Sequence, residues 1–375
     1  MVRFIHTSDW QLGMRRHFLS DEAQHRFTAD RINAITAIGQ VASSRDCAFA
    51  VVAGDVFEDN AIDRQTVARA LDAMAATRLQ FYLLPGNHDP LNEGSVYRSN
   101  SFIEQQPDNV MVLQAGEPLV VAPGVQLAAA PWTSKHPLHD LVAAAILQLE
   151  PTITALRILV GHGTTAGMGA DNPAVIDLPL VEHAFAENLI HYLALGDRHS
   201  LTQSGSTGRA WYSGAPEPTD YDELNPGKVL VVDLEPGRCD VEPVTVARWR
   251  FIERRIALSG HSDLASLESW LDGLSDKPTT ILKLSFEGTL HLVEHIKLEA
   301  ILDHARTLFG ALEFWQRHMD LAVVTDASDF GRLGLAGFAD STLRELQAAA
   351  SSQGQTRETA NDALALLFRL SGGVA

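Results

Sequence analysis

Phe49-Ala50-Val51-Val52-Ala53-Gly54-Asp55 is the stretch on which the fold turns. Five apolar residues stop on a glycine and a carboxylate, the signature of a buried strand that runs out into a loop. The same arrangement recurs along the chain. Val2–Ile5 leads to Asp9-Trp10-Gln11, and Phe81–Leu84 leads to Gly86-Asn87-His88-Asp89. Ile158–Val160 leads to Gly161-His162, and Tyr192–Leu195 leads to Gly196-Asp197-Arg198-His199. In open α/β sheets the ligand crevice lies at the carboxyl ends of the strands. Asp, Asn and His gathered at that edge read as a metal site.

The residue types suit phosphoryl chemistry. Two divalent cations about 3.5–4 Å apart can clamp both the attacking and the leaving oxygen of an in-line displacement. Such a site needs a carboxylate shared by both ions, outer oxygen or imidazole ligands, and an acid for the leaving oxygen. Asp55 suits the shared position, because a carboxylate offers two oxygens. Asp9, Asn87, His162 and His199 are competent outer ligands. His88 directly follows Asn87, so its ring can face substrate while the neighbouring amide holds metal.

The ordered set DxH, GD, GNHD, GH, GHxH resembles that of the calcineurin-like metallophosphoesterases, and within them the SbcD-type DNA-repair nucleases. His6-Thr7-Ser8-Asp9-Trp10-Gln11-Leu12-Gly13 is similar to that subfamily's opening HTSDWHLG, and Val51–Glu58 is similar to its second motif. The resemblance covers residues 1–250 well and the next ninety more loosely. A single GD dipeptide after a strand is usually a turn; five motifs in order are far more specific. Carried over by position, one metal sits on Asp9, Gln11, Asp55 and His199, and the other on Asp55, Asn87, His162 and Asp197. The resemblance makes His88 the catalytic acid or transition-state stabiliser. Its orienting partner is Glu58, three residues after the shared Asp, with Asp89 the other candidate.

Two positions depart from the pattern. Gln11 stands where a ligand His is usual, and Asp197 where the first His of GHxH is usual. Both exchanges move the site from imidazole toward oxygen donors, which favours Mn²⁺ or Mg²⁺ over Zn²⁺. The expectation is a manganese-dependent enzyme with one weak metal position. The competing expectation is a damaged site that no longer turns over, since a lost ligand costs orders of magnitude.

With 375 residues, 46% hydrophobic and 20% charged, the chain suits one large or two moderate domains. It has no apolar run near the ~20 residues of a membrane span. No signal peptide precedes the first strand, and Cys47 and Cys239 lack CxxC spacing, so a cytoplasmic protein is expected. The 47 acidic and 29 basic residues give a net charge of −18, which argues against a free-standing nucleic-acid binder. It leaves room for a nuclease whose DNA is held largely by a partner. Arg15 and Arg16 follow the first motif and either guide a phosphate backbone or lie on a solvated loop. Arg198 reads as a neutraliser of nearby carboxylates. His6 and His191 read as core or supporting histidines.

The expected architecture is a four-layer α/β/β/α sandwich (α/β or α+β) over residues 1–248, its layering implied by the resemblance. Helices are expected near 21–44, 62–77, 95–106 and 137–149, with Asp21 and Asp63 at favoured first-turn or N-cap places. Short strands follow from about 205 to 246, with Pro-Gly turns at 226–227 and 236–237. Residues 249–340 are expected to form a smaller α+β unit, which by resemblance would cap the active site. Residues 341–375 form a tail: Ser351–Thr359 reads as a linker, and Leu364, Leu367 and Phe368 make an apolar stripe. By resemblance that tail docks on an SbcC-like coiled-coil ATPase; the stripe could equally pack back on its own domain. The Gly-rich Gly161–Gly169 lacks the GK[ST] ending of a P-loop.

Three functions compete. One is a DNA exonuclease or endonuclease working with an SbcC-like ATPase in DNA repair, a homodimer if the resemblance extends so far. Another is a small-molecule phosphodiesterase or phosphatase, which the charge favours. The third is a catalytically weakened scaffold component, motivated by Gln11 and Asp197.

Overall fold

The computed structural model describes residues 1–165, 173–324, 337–351, 359–360, 363–364 and 366–367. Most of the expected linker 351–359, the stripe residue Phe368 and the end of Gly161–Gly169 lie outside these residues. The chain divides into two compact units, Met1–Arg250 and Phe251–Ala375.

In the first unit β1 (Val2–Thr7), β2 (Phe49–Val52), β3 (Gln80–Leu83) and β4 (Val110–Val112) run parallel in that order. A second sheet is built from β5 (Leu119–Ala122), β6 (Val125–Ala130), β7 (Leu156–His162), β8 (Tyr192–Gly196), β9 (Thr202–Ser204) and β10 (Ala210–Tyr212). Its order is β5-β6-β7-β8-β10-β9, with β6, β7, β8 and β10 parallel. The hairpin of β11 (Lys228–Glu235) and β12 (Arg238–Thr245) then returns to the first sheet and pairs antiparallel with β1.

Strand alternation assigns each side chain to a layer. Ala50 and Val52 of β2 face one core, shared with Ile35 and Ile38 of α1 (Asp21–Ser44), Leu71 of α2 (Arg64–Thr77) and Phe102 of α3 (Asn100–Ile103). Phe49, Val51 and Ala53 face the opposite way, into a core shared with Ile158, Val160, Tyr192 and Ala194 of the second sheet. Leu159, Leu193 and Leu195 turn outward against Val142 of α4 (Leu141–Ile146) and Phe185 of α5 (Leu178–Ala186). Helix, sheet, sheet, helix is the α/β/β/α order. The strands that lead into the site are thus buried on both faces, and their carboxyl ends are held rigidly. The helix starts follow their caps: the Ser20 hydroxyl accepts from Ala23 N and the Asp63 carboxylate from Thr66 N, each worth about 1 kcal/mol.

In the second unit β13 (Arg250–Leu258), β14 (Thr280–His291), β15 (Ala311–Phe314) and β16 (Asp320–Val324) form one sheet. The long β14 pairs with β15 through Ile281–Leu284 and with β16 through Glu287–His291. α6 (His261–Gly273) and α7 (Leu292–Leu308) bury Leu264, Leu267, Leu298 and Leu302 with Leu282, Leu284 and Phe286 of the sheet. The last labelled helix, α8 (Phe338–Ala350), places Leu343 with Leu292 and Leu364. No helix among the described residues is long and apolar enough to cross a membrane.

His6 is a core histidine between the two sheets. Its Nε2 lies 3.1 Å from the Leu195 carbonyl, which can only accept, so Nδ1 accepts from the Tyr192 hydroxyl at 3.0 Å. Burial holds the ring neutral and drives its pKa from 6.5 down to about 3. The unfolded chain therefore takes up a proton below pH 6.5 that the folded chain refuses. Between about pH 7 and 5 the wild type should lose about 2 kcal/mol of stability through this group. His6→Gln, which cannot titrate, should lose correspondingly less in urea unfolding at the two pH values; equal losses would refute the assignment.

Candidate metal centre

The centre forms where the loops after β1 and β2 zip together. Asp9 N donates to the Gly54 carbonyl at 3.0 Å, Gln11 N to Asp55 O at 2.9 Å, and Leu12 N to Val56 O at 2.9 Å. This brings two motifs from distant parts of the sequence side by side. Asp9, Gln11, Asp55 and Asp197 all adopt positive φ (54°, 43°, 55° and 96°). They are four of the nine non-glycine residues with such a backbone among those described. Positive φ in a side-chain-bearing residue costs of order 1 kcal/mol or more and concentrates at functional sites.

The motif glycines are there for contact. A Cβ on Gly54 would stand 2.1 Å from Nδ1 of His162, and one on Gly86 would stand 2.2 Å from Oδ1 of Asp55. Only glycine lets His162 lie across the second strand end, where its Nδ1 donates to the Ala53 carbonyl at 2.8 Å.

Asp9, Asp55 and His162 each present a donor atom, and these atoms lie within 4.8 Å of one another. The trio draws on both ligand sets expected from sequence, with Asp55 between them. Asn87 meets His162 Nε2 at 2.6 Å. With its amide nitrogen turned inward it also reaches the Asp55 oxygens at 3.3 and 3.1 Å. Asp197 Oδ1 lies 3.7 Å from His162 Nε2, and its backbone N–H donates to Asp9 Oδ1 at 3.0 Å. Gln11 Nε2 lies 3.1 Å from His199 Nε2. All seven expected ligands therefore share one neighbourhood.

Electrostatics say what that neighbourhood lacks. Burial raises Asp9 above the ordinary carboxylate range, and nearby Asp55 adds to the shift against the pull of His199 and His162. Burial would lower His162, yet Asp55, Asp197 and Asp9 raise it well above its usual value. Asp55 goes the other way: burial opposes ionisation, but His162 and His88 hold it below the normal range. Gln11 Oε1 is buried without a hydrogen-bond partner. A divalent cation would answer both the buried negative charge and the unsatisfied carbonyl oxygen, and the oxygen-rich donor set fits one.

The other expected residues are placed as follows. His88 donates from Nδ1 to the backbone carbonyl of Glu58 at 2.8 Å and turns Nε2 toward Asp55 Oδ2, 4.0 Å away. The Glu58 main chain, and not its carboxylate, makes this bond; Oε2 of Glu58 is buried without a partner. Asp89 is fully buried and turned to the backbone: it accepts from Gly86 N at 2.8 Å, Phe57 N at 3.0 Å and the Tyr97 hydroxyl at 2.6 Å. Its work is to pin the loop that carries Asn87 and His88. Arg16 lines the same cavity as Gln11, His88 and His199, a space of about 520 Å³, and donates to the Thr219 carbonyl. Arg15 lines a different cavity, with His25 and Arg69. Arg198 donates to the Thr202 hydroxyl at 2.8 Å rather than to a carboxylate.

Thr219 and Glu223 carry no signal in the sequence. Both sit beside His199 Nδ1, at 2.6 and 3.2 Å. Asp220-Tyr221-Asp222-Glu223 reads as a solvated acidic turn, and nothing in its spacing points to an imidazole so far upstream.

The sequence pattern of the calcineurin-like phosphoesterases matches residues 2–164. The chain carries a calcineurin-like phosphoesterase domain. It is similar to SbcD, the D component of the nuclease SbcCD, of Escherichia coli K12: 27% identical over 343 residues, 80% of this chain and 82% of that one. The SbcD of Rhodobacter capsulatus is 29% identical over 63% of this chain and 67% of its own. That of Bacillus subtilis is 25% identical over 78% and 81%. The domain is that of a hydrolase acting on phosphate esters, and its candidate metal donors gather at the strand ends.

Because Asp55 stands between both donor sets, Asp55→Asn should weaken binding of every divalent ion by more than about 100-fold. Gln11→His should tighten one of them. Calorimetric titration with Mn²⁺ reads both, and two intact sites in the Asp55 variant would break the assignment.

Proposed function

We propose that this protein is a Mn²⁺-dependent DNA nuclease that works with an SbcC-like coiled-coil ATPase in the cytoplasm. The observation that carries the reading is the convergence of Asp9, Asp55 and His162 beside His88, in a chain similar over most of its length to the SbcD nuclease component. The ATPase partner, pairing of two copies and the DNA-repair role rest on that similarity. Manganese is favoured over zinc because Gln11 and Asp197 offer oxygen where imidazole would stand.

Divalent cations bound by these donors would neutralise the scissile phosphate and lower the pKa of water. The chain's own residues do the rest. Glu58 O accepts a hydrogen bond from His88 Nδ1–H, so Nε2 is the nitrogen that faces the cavity; the imidazolium form of the ring carries a second proton there, which it gives to the leaving oxygen as the ring returns to neutral. Asp89 keeps that loop from drifting by holding Gly86 N and Phe57 N. Arg16 lines the cavity and offers positive charge to a phosphate backbone. Arg15, on a neighbouring cavity, would meet the backbone farther along.

A small-molecule phosphodiesterase is the second reading. The cavity wall formed by Asp220, Asp222 and Glu223 favours it, since those carboxylates repel a polyanion more than a compact monoanion.

His88→Ala should lower Mn²⁺-dependent digestion of linear DNA by about 10²–10⁴-fold with metal binding intact. Glu58→Gln should stay within about threefold of wild type, because the backbone orients the ring. Digestion unaffected by His88→Ala would end the catalytic assignment. Hydrolysis of a chromogenic phosphodiester without action on DNA would favour the second reading.

A further inference from the structure

We propose that Glu223 is a positioning residue that fixes the His199 imidazole with its proton on Nδ1 and its lone pair on Nε2, directed into the metal pocket. His199 Nδ1 lies 2.6 Å from Thr219 Oγ1 and 3.2 Å from Glu223 Oε1. A carboxylate can only accept, and Thr219 Oγ1 itself donates to Glu223, so both partners are acceptors for an Nδ1 proton. Nε2 is thereby left as the ligating nitrogen, and it points at Gln11, whose amide nitrogen donates to it at 3.1 Å.

The clamp is itself braced. Glu223 accepts from the backbone N–H of Thr219 at 3.0 Å and of Asp220 at 3.2 Å, closing the turn on itself. Buried Arg31 of α1 donates to the carbonyls of Glu217 and Pro218 at 3.4 and 3.2 Å, and Arg16 donates to that of Thr219. Glu217, 1% exposed, accepts from Arg248 N and Trp249 N at 2.9 and 3.0 Å. A loop held at this many points has one place for Glu223. Such bracing is unneeded for a solvated turn; it is what a fixed imidazole orientation requires.

The proposal rests on the reading that the pocket holds divalent cations, so two independent measurements are needed. In metal-free protein, ¹⁵N shifts of the imidazole nitrogens should show His199 protonated on Nδ1 in wild type and in Glu223→Gln, which keeps an accepting oxygen. In Glu223→Ala the two tautomers should mix. In calorimetric titration with Mn²⁺, Glu223→Ala should weaken one site by about 10–100-fold and Glu223→Gln by no more than about threefold. A wild-type His199 protonated on Nε2, or a Glu223→Ala protein with an unchanged tautomer, overturns the proposal. A wild type that binds no Mn²⁺ yet shows the expected tautomers overturns the metal reading and leaves the clamp standing.

Discussion

Three carboxylates gathered around one imidazole are what the rest of the molecule is built to tolerate. Asp9 is fully buried and Asp55 is 2% exposed, and Asp197 Oδ1 approaches the same ring. Burying an ionised carboxylate is costly unless the charge is paired. His162 carries part of that load, which is why its pKa is pushed up while that of Asp55 is pushed down. His88 and His199 also draw on Asp55 and Asp9, yet the pocket stays rich in buried negative charge. The pocket is therefore a destabilising feature that the scaffold must offset and that a divalent cation would relieve.

The scaffold's share is visible in how many separate elements meet there. β1 and β2 lead to Asp9, Gln11 and Asp55 from one sheet, and β7 and β8 lead to His162, Asp197 and His199 from the other. Contact between the sheets is made by an apolar core including Phe4, Phe49, Tyr82, Ile158 and Tyr192, several of them packed edge to face. Burial of each such ring stabilises by about 1.5–3 kcal/mol, enough to hold strained loops at the rim. Positive φ at Asp9, Gln11, Asp55 and Asp197 is offset by this core. Gly54 and Gly86 add what packing cannot, room for side chains to cross a strand end.

The parts legible in the sequence are those whose signal is local. Strand β2 ends just before Ala53 and Gly54, and α1 spans the expected 21–44, because periodicity and caps are written in neighbouring residues. The motif order singles out the ligand candidates, and the structure gathers them into one neighbourhood. What the sequence hides depends on distant partners. α5 gives little warning of itself because Leu178–Ala186 is short and mostly apolar, with no face to count. The strand β15 is only four residues long. The family resemblance points to Glu58 as the residue that orients His88, and it is the main-chain carbonyl of Glu58, a group every residue has, that makes the bond. Asp89 is a plausible partner for His88 by position, but its burial under Tyr97 gives it the backbone instead. Thr219 and Glu223 are set by a loop whose path follows from Arg31 and Trp249, not from its own composition.

The two departures from the family pattern have one electrostatic consequence between them. Gln11 replaces a neutral imidazole with a neutral amide, and Asp197 replaces a neutral imidazole with an anion. Two divalent cations would bring four positive charges against the carboxylates of Asp9, Asp55 and Asp197, leaving an excess of one. With imidazole at 197 the excess would be two. A phosphodiester carries a single negative charge and a monoester close to two, so under the proposed two-cation reading the smaller excess would suit the diester better. The acidic turn around Glu223 works in the same direction, because it penalises every added negative charge on a substrate that approaches from that side.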